Sequence, residues 1–205
     1  MSDILTYERG YWEQGKRWIA GVDEVGRGCL FGDVVAAAVI LPEGLELEGV
    51  NDSKKLSEKK RDTLFELIME QALAVGVGIV DVPTIERINI KQAARAAMKQ
   101  AVDQLQVRPD LLLVDAEKVD TDIEQLALIH GDALSQSIAA ASIIAKVTRD
   151  RMCLAWELEY PGYEIAIHKG YATRVHRERI AELGATPLHR RTFLRNIVYE
   201  QQVLF

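Results

Sequence analysis

The stretch Trp18-Ile19-Ala20-Gly21-Val22-Asp23-Glu24-Val25-Gly26-Arg27-Gly28 decides the reading of this chain. Its apolar part, Ile19 to Val22, reads as the end of a strand, and the residues after it are charged and rich in glycine. Adjacent side chains on a strand point to opposite faces, so an ideal strand cannot direct both Asp23 and Glu24 at one site. The pair therefore predicts a strand end that loosens into a Gly-Arg-Gly turn. Two carboxylates beside a glycine-flanked arginine suit a metal site next to a phosphate. Taken alone, the same residues also read as a solvated charged turn.

Outward from this stretch, Val34 to Leu41 reads as a second, fully buried strand ended by Pro42 and Gly44. Ser57 can cap a helix that starts at Glu58, and Ala74 to Val80 reads as a third strand. Asn89 can cap an alanine-rich helix from about Ile90 to Leu105. Leu111 to Val114 makes a fourth strand ending on Asp115, and Leu126 to Ile129 a short fifth. A long helix from about Ser135 to Glu159 is stopped by Pro161-Gly162, and one amphipathic helix, Ala172 to Leu183, follows before a basic segment from His189 to Asn196. Neighbouring strands near the front and alternating strands and helices later predict an α/β domain with a mixed sheet flanked by helices. Polar aromatics, histidines and arginines replace aliphatic runs after Pro161. The expected division is a catalytic domain over residues 1–160 and a small helical substrate-binding extension with a tail over residues 161–205.

Composition narrows the function. The 205 residues are 48% apolar and 27% charged, ordinary for a globular chain with a sizeable core. No apolar stretch approaches the roughly 20 residues that span a bilayer, and the first residues lack the pattern of a signal peptide. Two cysteines, Cys29 and Cys153, are too few for a disulfide framework. The expectation is a cytoplasmic protein with no membrane partner, and a monomer. Net charge is −6, but residues 146–195 hold ten Lys/Arg against six Asp/Glu, a local +4, while the remainder carries −10. An acidic body with a basic C-terminal quarter fits one face meeting a polyanion; a solvated helical face laced with ion pairs is the plainer alternative.

Four acids stand at or near element ends: Asp23, Glu24, Asp115, and Asp132 just ahead of the long helix. Ligands of open α/β sheets collect at strand ends. Carboxylates and water suit hard ions such as Mg²⁺ or Mn²⁺, which can activate water and neutralise charge at a phosphoryl group, ideally as a pair. A single aspartate at such a place also serves as a turn former or helix cap, Asp132 especially. His168, His176 and His189 match no common zinc spacing and are expected to be surface or phosphate contacts.

Several separated blocks together carry a resemblance. They are Ala20 to Gly28 with Gly32 and Val34 to Val39; Asp52-Ser53-Lys54-Lys55-Leu56-Ser57; Leu113-Val114-Asp115; Gly131-Asp132; Ile138 to Asp150; Tyr160-Pro161-Gly162-Tyr163; His168-Lys169-Gly170-Tyr171; and His189-Arg190. In order and spacing they resemble bacterial ribonuclease HII, the type 2 ribonuclease H family, over nearly the whole chain. The resemblance implies a ribonuclease H-like sheet and an endoribonuclease that hydrolyses RNA in RNA–DNA hybrids. It further implies incision 5′ of a single ribonucleotide embedded in duplex DNA, leaving 5′-phosphate and 3′-hydroxyl ends. By the same resemblance Asp23, Glu24, Asp115 and Asp132 are the catalytic metal ligands for Mg²⁺ or Mn²⁺. Gly26-Arg27-Gly28 and Tyr171 recognise the RNA-to-DNA junction. The sister type, ribonuclease HIII, usually has lysine where this chain has Arg27.

These assignments have a physical basis. Glycines let the backbone approach a ribose 2′-hydroxyl, the group that separates RNA from DNA locally. Arg27 could donate to a phosphate in a fork, and the Tyr171 ring could stack on the next deoxyribose. Ser53 and Lys54 sit in a loop before a helix, and Lys146 and Arg149, about one turn apart, could track the same phosphate backbone. In the run Ala139 to Ile144 only Ser142 is placed to reach substrate. Cys29, Phe31, Asp33 and Ala116 depart from the family's commonest wording. The last residues, Gln201-Gln202-Val203-Leu204-Phe205, resemble the short peptide by which bacterial replication proteins dock on a sliding clamp, with Gln201, Leu204 and Phe205 as its contacts; a tail folded back on the domain is the alternative.

Overall fold

The computed structural model describes residues 3–50 and 56–195. Its centre is β1, Ile19–Val25, which lies third in a five-stranded sheet. On one side β1 pairs antiparallel with β2, Val34–Ile40, and β2 in turn with β3, Ala74–Val80. On the other side β1 pairs parallel with β4, Leu111–Asp115, and β4 with β5, Gln125–Leu128. The order β3-β2-β1-β4-β5 is the mixed sheet that the sequence predicts.

The first strand departs from expectation: it does not loosen at its acids. The ladder with β2 runs on through Asp23 opposite Ala37, Glu24 opposite Ala36 and Val25 opposite Val35. The register holds because Val34 and Val35 are buried and begin β2 at once. Only after Val25 does the chain turn, with Gly26 at φ 96°.

Helices cover both faces. On one, α4 (Ile90–Asp103) lays Ala93, Ala94, Ala97, Met98 and Ala101 on β1 to β3. The approach is so close that a Cβ on Gly76 or Gly78 would overlap the carbonyls of Ala101 or Ala97. On the other face lie α2 (Glu58–Gln71) and the long α5 (Gln136–Glu159), which crosses β1 where Gly21 lacks a side chain. A Cβ there would overlap the backbone of Ser137 and Ile138. Ser57 and Asn89 cap their helices as expected, and Ser135 caps α5, each accepting a backbone N–H in the first turn. None of the helices described is long and apolar enough to cross a membrane.

Short helices escape the sequence reading. α1 (Thr6–Trp12) has no side-chain cap; it is held by Tyr7, Tyr11 and Trp12 against Ile19, Leu111 and Leu113, and by buried Glu8. Glu8 accepts from Ser135 Oγ at 2.6 Å and Ser137 N at 2.9 Å, a carboxylate on the N-terminus of α5. α3 (Val82–Ile88) starts at the Asp81 cap with proline in its first turn. Beyond α5 come the single-turn α6 (Ile165–His168), also unannounced, and α7 (Arg174–Leu183), the amphipathic helix expected from Ala172 to Leu183, capped by Thr173. Their core is shared with the loop between β1 and β2: Leu30 and Phe31 pack with Cys153, Tyr163, Ile165, Ile180 and Leu194.

Candidate active site at the ends of β1 and β4

Strand alternation sends the two adjacent acids to opposite faces. Asp23, 6% exposed, points to the α5 side, where the Ser142 side chain hydrogen-bonds it, and its Oδ1 accepts from Glu24 N at 2.7 Å. Glu24 turns the other way, towards Arg27 Nη1 at 3.1 Å and the Glu117 carboxylate. Asp115 comes between them. The β1–β4 register matches Val22 with Val114, so Asp115 closes β4 beside Asp23 and acts on both acids. Asp115 Oδ1 accepts from Gly131 N at 2.7 Å, which ties it to the 3-10 turn Gly131–Ala133. That turn carries Asp132, 5% exposed, and the cap of α5 is Ser135 instead.

The electrostatics are those of negative charge held against negative charge. Burial, then Glu24 and Asp115, push the Asp23 carboxyl well above the usual carboxylate range. Burial raises Glu24 to about 7 against the opposing pull of Arg27, with Asp115 and Glu117 adding to the rise. Glu24 Oε2 is buried with no hydrogen-bond partner. An orphaned carboxylate oxygen among repelling carboxylates fits a hard divalent cation. Among the described residues no three His, Cys, Asp or Glu side chains close into a cage. An ion at Glu24 would take only a few carboxylates and complete its shell with water and substrate phosphate.

Beyond the acids, the chain passes through Gly26-Arg27-Gly28. Gly26 is buried against Arg149, while Gly28 is exposed with open space around it. The half-exposed Arg27 bridges Glu24 and Glu117 Oε1, the latter at 3.6 Å. Next to the turn, Cys29 forms an antiparallel bridge with Tyr171, whose side chain is 42% exposed. The glycine turn is thus joined to the acids of β1 along the chain and to Tyr171 through the backbone bridge at Cys29. Lys146, by contrast, donates to Asp150 Oδ1 at 2.5 Å one turn on.

Arg149 is a correction. Expected on a phosphate backbone, it is fully buried. Its Nε donates to Asp33 O at 3.0 Å, Nη1 to Lys169 O at 2.8 Å and Nη2 to Phe31 O at 2.9 Å. Helical spacing put it one turn from Lys146, but the 29–33 loop and the C-terminal segment fold over that part of α5. The departures at Cys29, Phe31 and Asp33 belong to the same packing. Cys29 and Phe31 are fully buried, Phe31 edge-on to Trp156, Tyr160 and His189, and Asp33 Oδ1 accepts from Val82 N. Ser53, Lys54, Gln201, Leu204 and Phe205 lie outside the described residues.

The histidines are also corrected: all three are buried. Thr186 N donates to His189 Nδ1 at 2.9 Å, His189 Nε2 lies 3.2 Å from His176 Nε2, and His176 Nδ1 lies 2.9 Å from Tyr171 O. Since a carbonyl only accepts, His176 carries its proton on Nδ1 and His189 on Nε2, and both rings are neutral. Burial, above all, lowers each to about 4. His168 stacks on His176 and donates through Nε2 to Tyr163 O at 2.7 Å.

Two site residues escape sequence reasoning. Glu117, two after Asp115, would share the face of Asp115 in an extended chain. Ala116 instead takes φ 51°, which swings Glu117 back to Arg27 and Arg95, the latter at 3.0 Å. Arg190 is fully buried and grips the loop carrying the glycine turn, a contact across 163 residues that no local pattern announces.

A mixed sheet with buried carboxylates at the ends of β1 and β4 defines a hydrolytic nuclease of the ribonuclease H class, a fold shared with solved proteins. The structure of ribonuclease H2 from Pyrococcus horikoshii OT3 superposes with TM-score 0.75 at 26% identity, over 90% of this chain and 99% of that one. Ribonuclease HII in the PCNA complex from Archaeoglobus fulgidus gives TM-score 0.71 at 27% identity, over 84% and 93%. The sequence is narrower. The Ribonuclease HII family profile matches residues 20–196, and Ribonuclease HII of Alkaliphilus metalliredigens is 56% identical over 95% of this chain and 98% of its own. The chain belongs to the ribonuclease HII family, endoribonucleases that act on RNA in RNA–DNA hybrids and use divalent metal ions.

Proposed function

We propose that this enzyme incises duplex DNA on the 5′ side of a single embedded ribonucleotide, as well as cutting longer hybrids, and leaves 5′-phosphate and 3′-hydroxyl ends. One observation carries the reading: the exposed Gly28 turn lies between the carboxylates and the half-exposed Tyr171, joined to both by backbone. A backbone that reaches a 2′-hydroxyl on one side and a ring that meets the next sugar on the other can test for ribose followed by deoxyribose.

Asp23, Glu24, Asp115 and Asp132 would hold Mg²⁺ or Mn²⁺, which when bound supplies an activated water and neutralises charge at the scissile phosphate. Ser142 orients Asp23, and Gly131 N orients Asp115. Arg27, shared between Glu24 and Glu117, is placed to exchange one carboxylate for a substrate phosphate. Residues 161–195, with their excess of cations, serve as the substrate-binding extension of a monomeric cytoplasmic enzyme. The tail, through Gln201, Leu204 and Phe205, docks on a sliding clamp; the Archaeoglobus relative in its PCNA complex supports such a partner.

The test is the purified protein with either ion on a duplex holding one ribonucleotide, beside an all-DNA duplex and a continuous hybrid. Cleavage 5′ of the ribonucleotide, with end-group analysis giving 5′-phosphate and 3′-hydroxyl, is expected. Cleavage of the hybrid alone would overturn the junction reading. Clamp binding that survives removal of residues 201–205 would overturn the tail assignment.

A further inference from the structure

Arg190 is a fully buried charge whose side-chain hydrogen bonds all go to backbone, with its guanidinium 5.4 Å from the centre of the Phe193 ring. Its Nε and Nη2 donate to Gly32 O at 2.9 and 2.7 Å, and its Nη1 donates to Arg27 O at 3.1 Å. Its own amide donates to Leu30 O at 2.8 Å, and neighbouring His189 forms an antiparallel bridge with Phe31. From the other edge, Gly170 O accepts Leu30 N at 2.8 Å and Tyr171 bridges Cys29. The segment after the glycine turn is thus threaded between two pieces of the C-terminal extension. Burying a guanidinium is costly, and the loss of this one would leave two inward carbonyls unpaired.

The grip on Arg27 O has a directional consequence. A peptide unit is planar and trans, so the carbonyl of Arg27 and the N–H of Gly28 point in opposite directions. With that carbonyl held inward by a buried guanidinium, the Gly28 N–H is turned outward at an exposed residue with open space around it. We propose that Arg190 is a specificity-determining positioning residue: it aims the Gly28 amide at the ribose 2′-hydroxyl by clamping the peptide unit from behind. The inference rests on the junction reading of the glycine turn. Lysine can keep the charge but not the planar fork that reaches Gly32 and Arg27 together.

The test compares wild type with Arg190→Lys and, as a neutral donor, Arg190→Gln. Affinities for a duplex holding one ribonucleotide and for an all-DNA duplex are measured by anisotropy in EDTA. Amide exchange is followed at Cys29, whose N–H closes the turn on Gly26 O. The variants are expected to lose about tenfold or more of the preference for the ribonucleotide duplex, with all-DNA affinity unchanged and faster exchange at Cys29. Equal loss on both duplexes, or an unchanged preference, would overturn the role of Arg190. A wild type without any preference would instead overturn the ribose reading of the turn, and the aiming role with it. Exchange at Cys29 as slow as in wild type in both variants would by itself reject the clamp.

Discussion

At the scale of single residues, Asp23 shows a site built at the expense of stability. It is buried beside Glu24 and Asp115, and folding brings like charges together while Arg27 pairs with Glu24 and not with Asp23. Asp23→Asn removes one charge while keeping the shape and the Ser142 contact. We expect turnover to fall on the order of 10³-fold or more, with hybrid affinity in EDTA largely kept. The melting temperature in EDTA should stay level or rise, since the repulsion is relieved. Full activity in this variant would remove Asp23 from the site. Ala116 gives a second residue-scale test. Its φ of 51° lies in the left-handed region, where a Cβ costs about 1–2 kcal/mol, offset in part by glycine's greater freedom when unfolded. Ala116→Gly should therefore raise stability by up to about 1 kcal/mol in urea titration, with activity unchanged.

At the scale of elements, bare backbone lets helices lie on strands. The α4 helix meets β3 at Gly76 and Gly78, and α5 meets β1 at Gly21, two residues before Asp23. The overlaps are with main chain, which cannot swing aside as a side chain can. Gly78→Ala should destabilise by about 3 kcal/mol or more and leave residual activity in the fraction that folds. Gly21→Ala should do similar damage and also shift Ser142 relative to Asp23, so kcat per folded molecule falls as well. A urea midpoint for Gly78→Ala equal to wild type would contradict the close helix approach. The boundaries of β3 and the long helices, and the start of α2, were legible in the sequence, because caps and apolar periodicity are local. The extension of β1 through its acids was not: charged side chains argue against a strand, and the ladder with β2 outweighs them.

At the scale of the molecule, the buried histidines link the C-terminal extension to the body and make stability depend on pH. His176 and His189 titrate near 6.5 when unfolded and at about 4 when folded. The unfolded chain therefore binds more protons between those values, and stability rises with pH across them. Their contribution is fully present above about pH 6.5 and is lost as pH falls towards 4. Glu24, raised to about 7 in the folded state, acts with the opposite sign over the same window. The histidine contribution is therefore read as the difference between wild type and His176→Asn, whose melting temperature should drop less as pH falls. An identical slope in the variant would show that these rings do not carry it. Protonation sets N–H against N–H at the 3.2 Å His176–His189 contact, whereas the hydrogen bond from His176 Nδ1 to Tyr171 O favours the charged ring, so the contact between the two histidines should give way first.

The sequence by itself determined the strands, the long helices, the four carboxylates and the glycine turn, because each is announced by neighbours within a few residues. It also set the family, since motif order is a property of the chain. Tertiary structure decided which cations and rings are inside. Arg149, Arg190 and the three histidines look like surface chemistry in a basic stretch, yet the 29–33 loop folds between α5 and the C-terminal segment and buries them. Likewise only the parallel pairing of β1 with β4 brings Asp115 to Asp23 across 92 residues, and only the left-handed Ala116 turns Glu117 back to Arg27. Burial and charge proximity depend on contacts distant in sequence, and no local pattern encodes them.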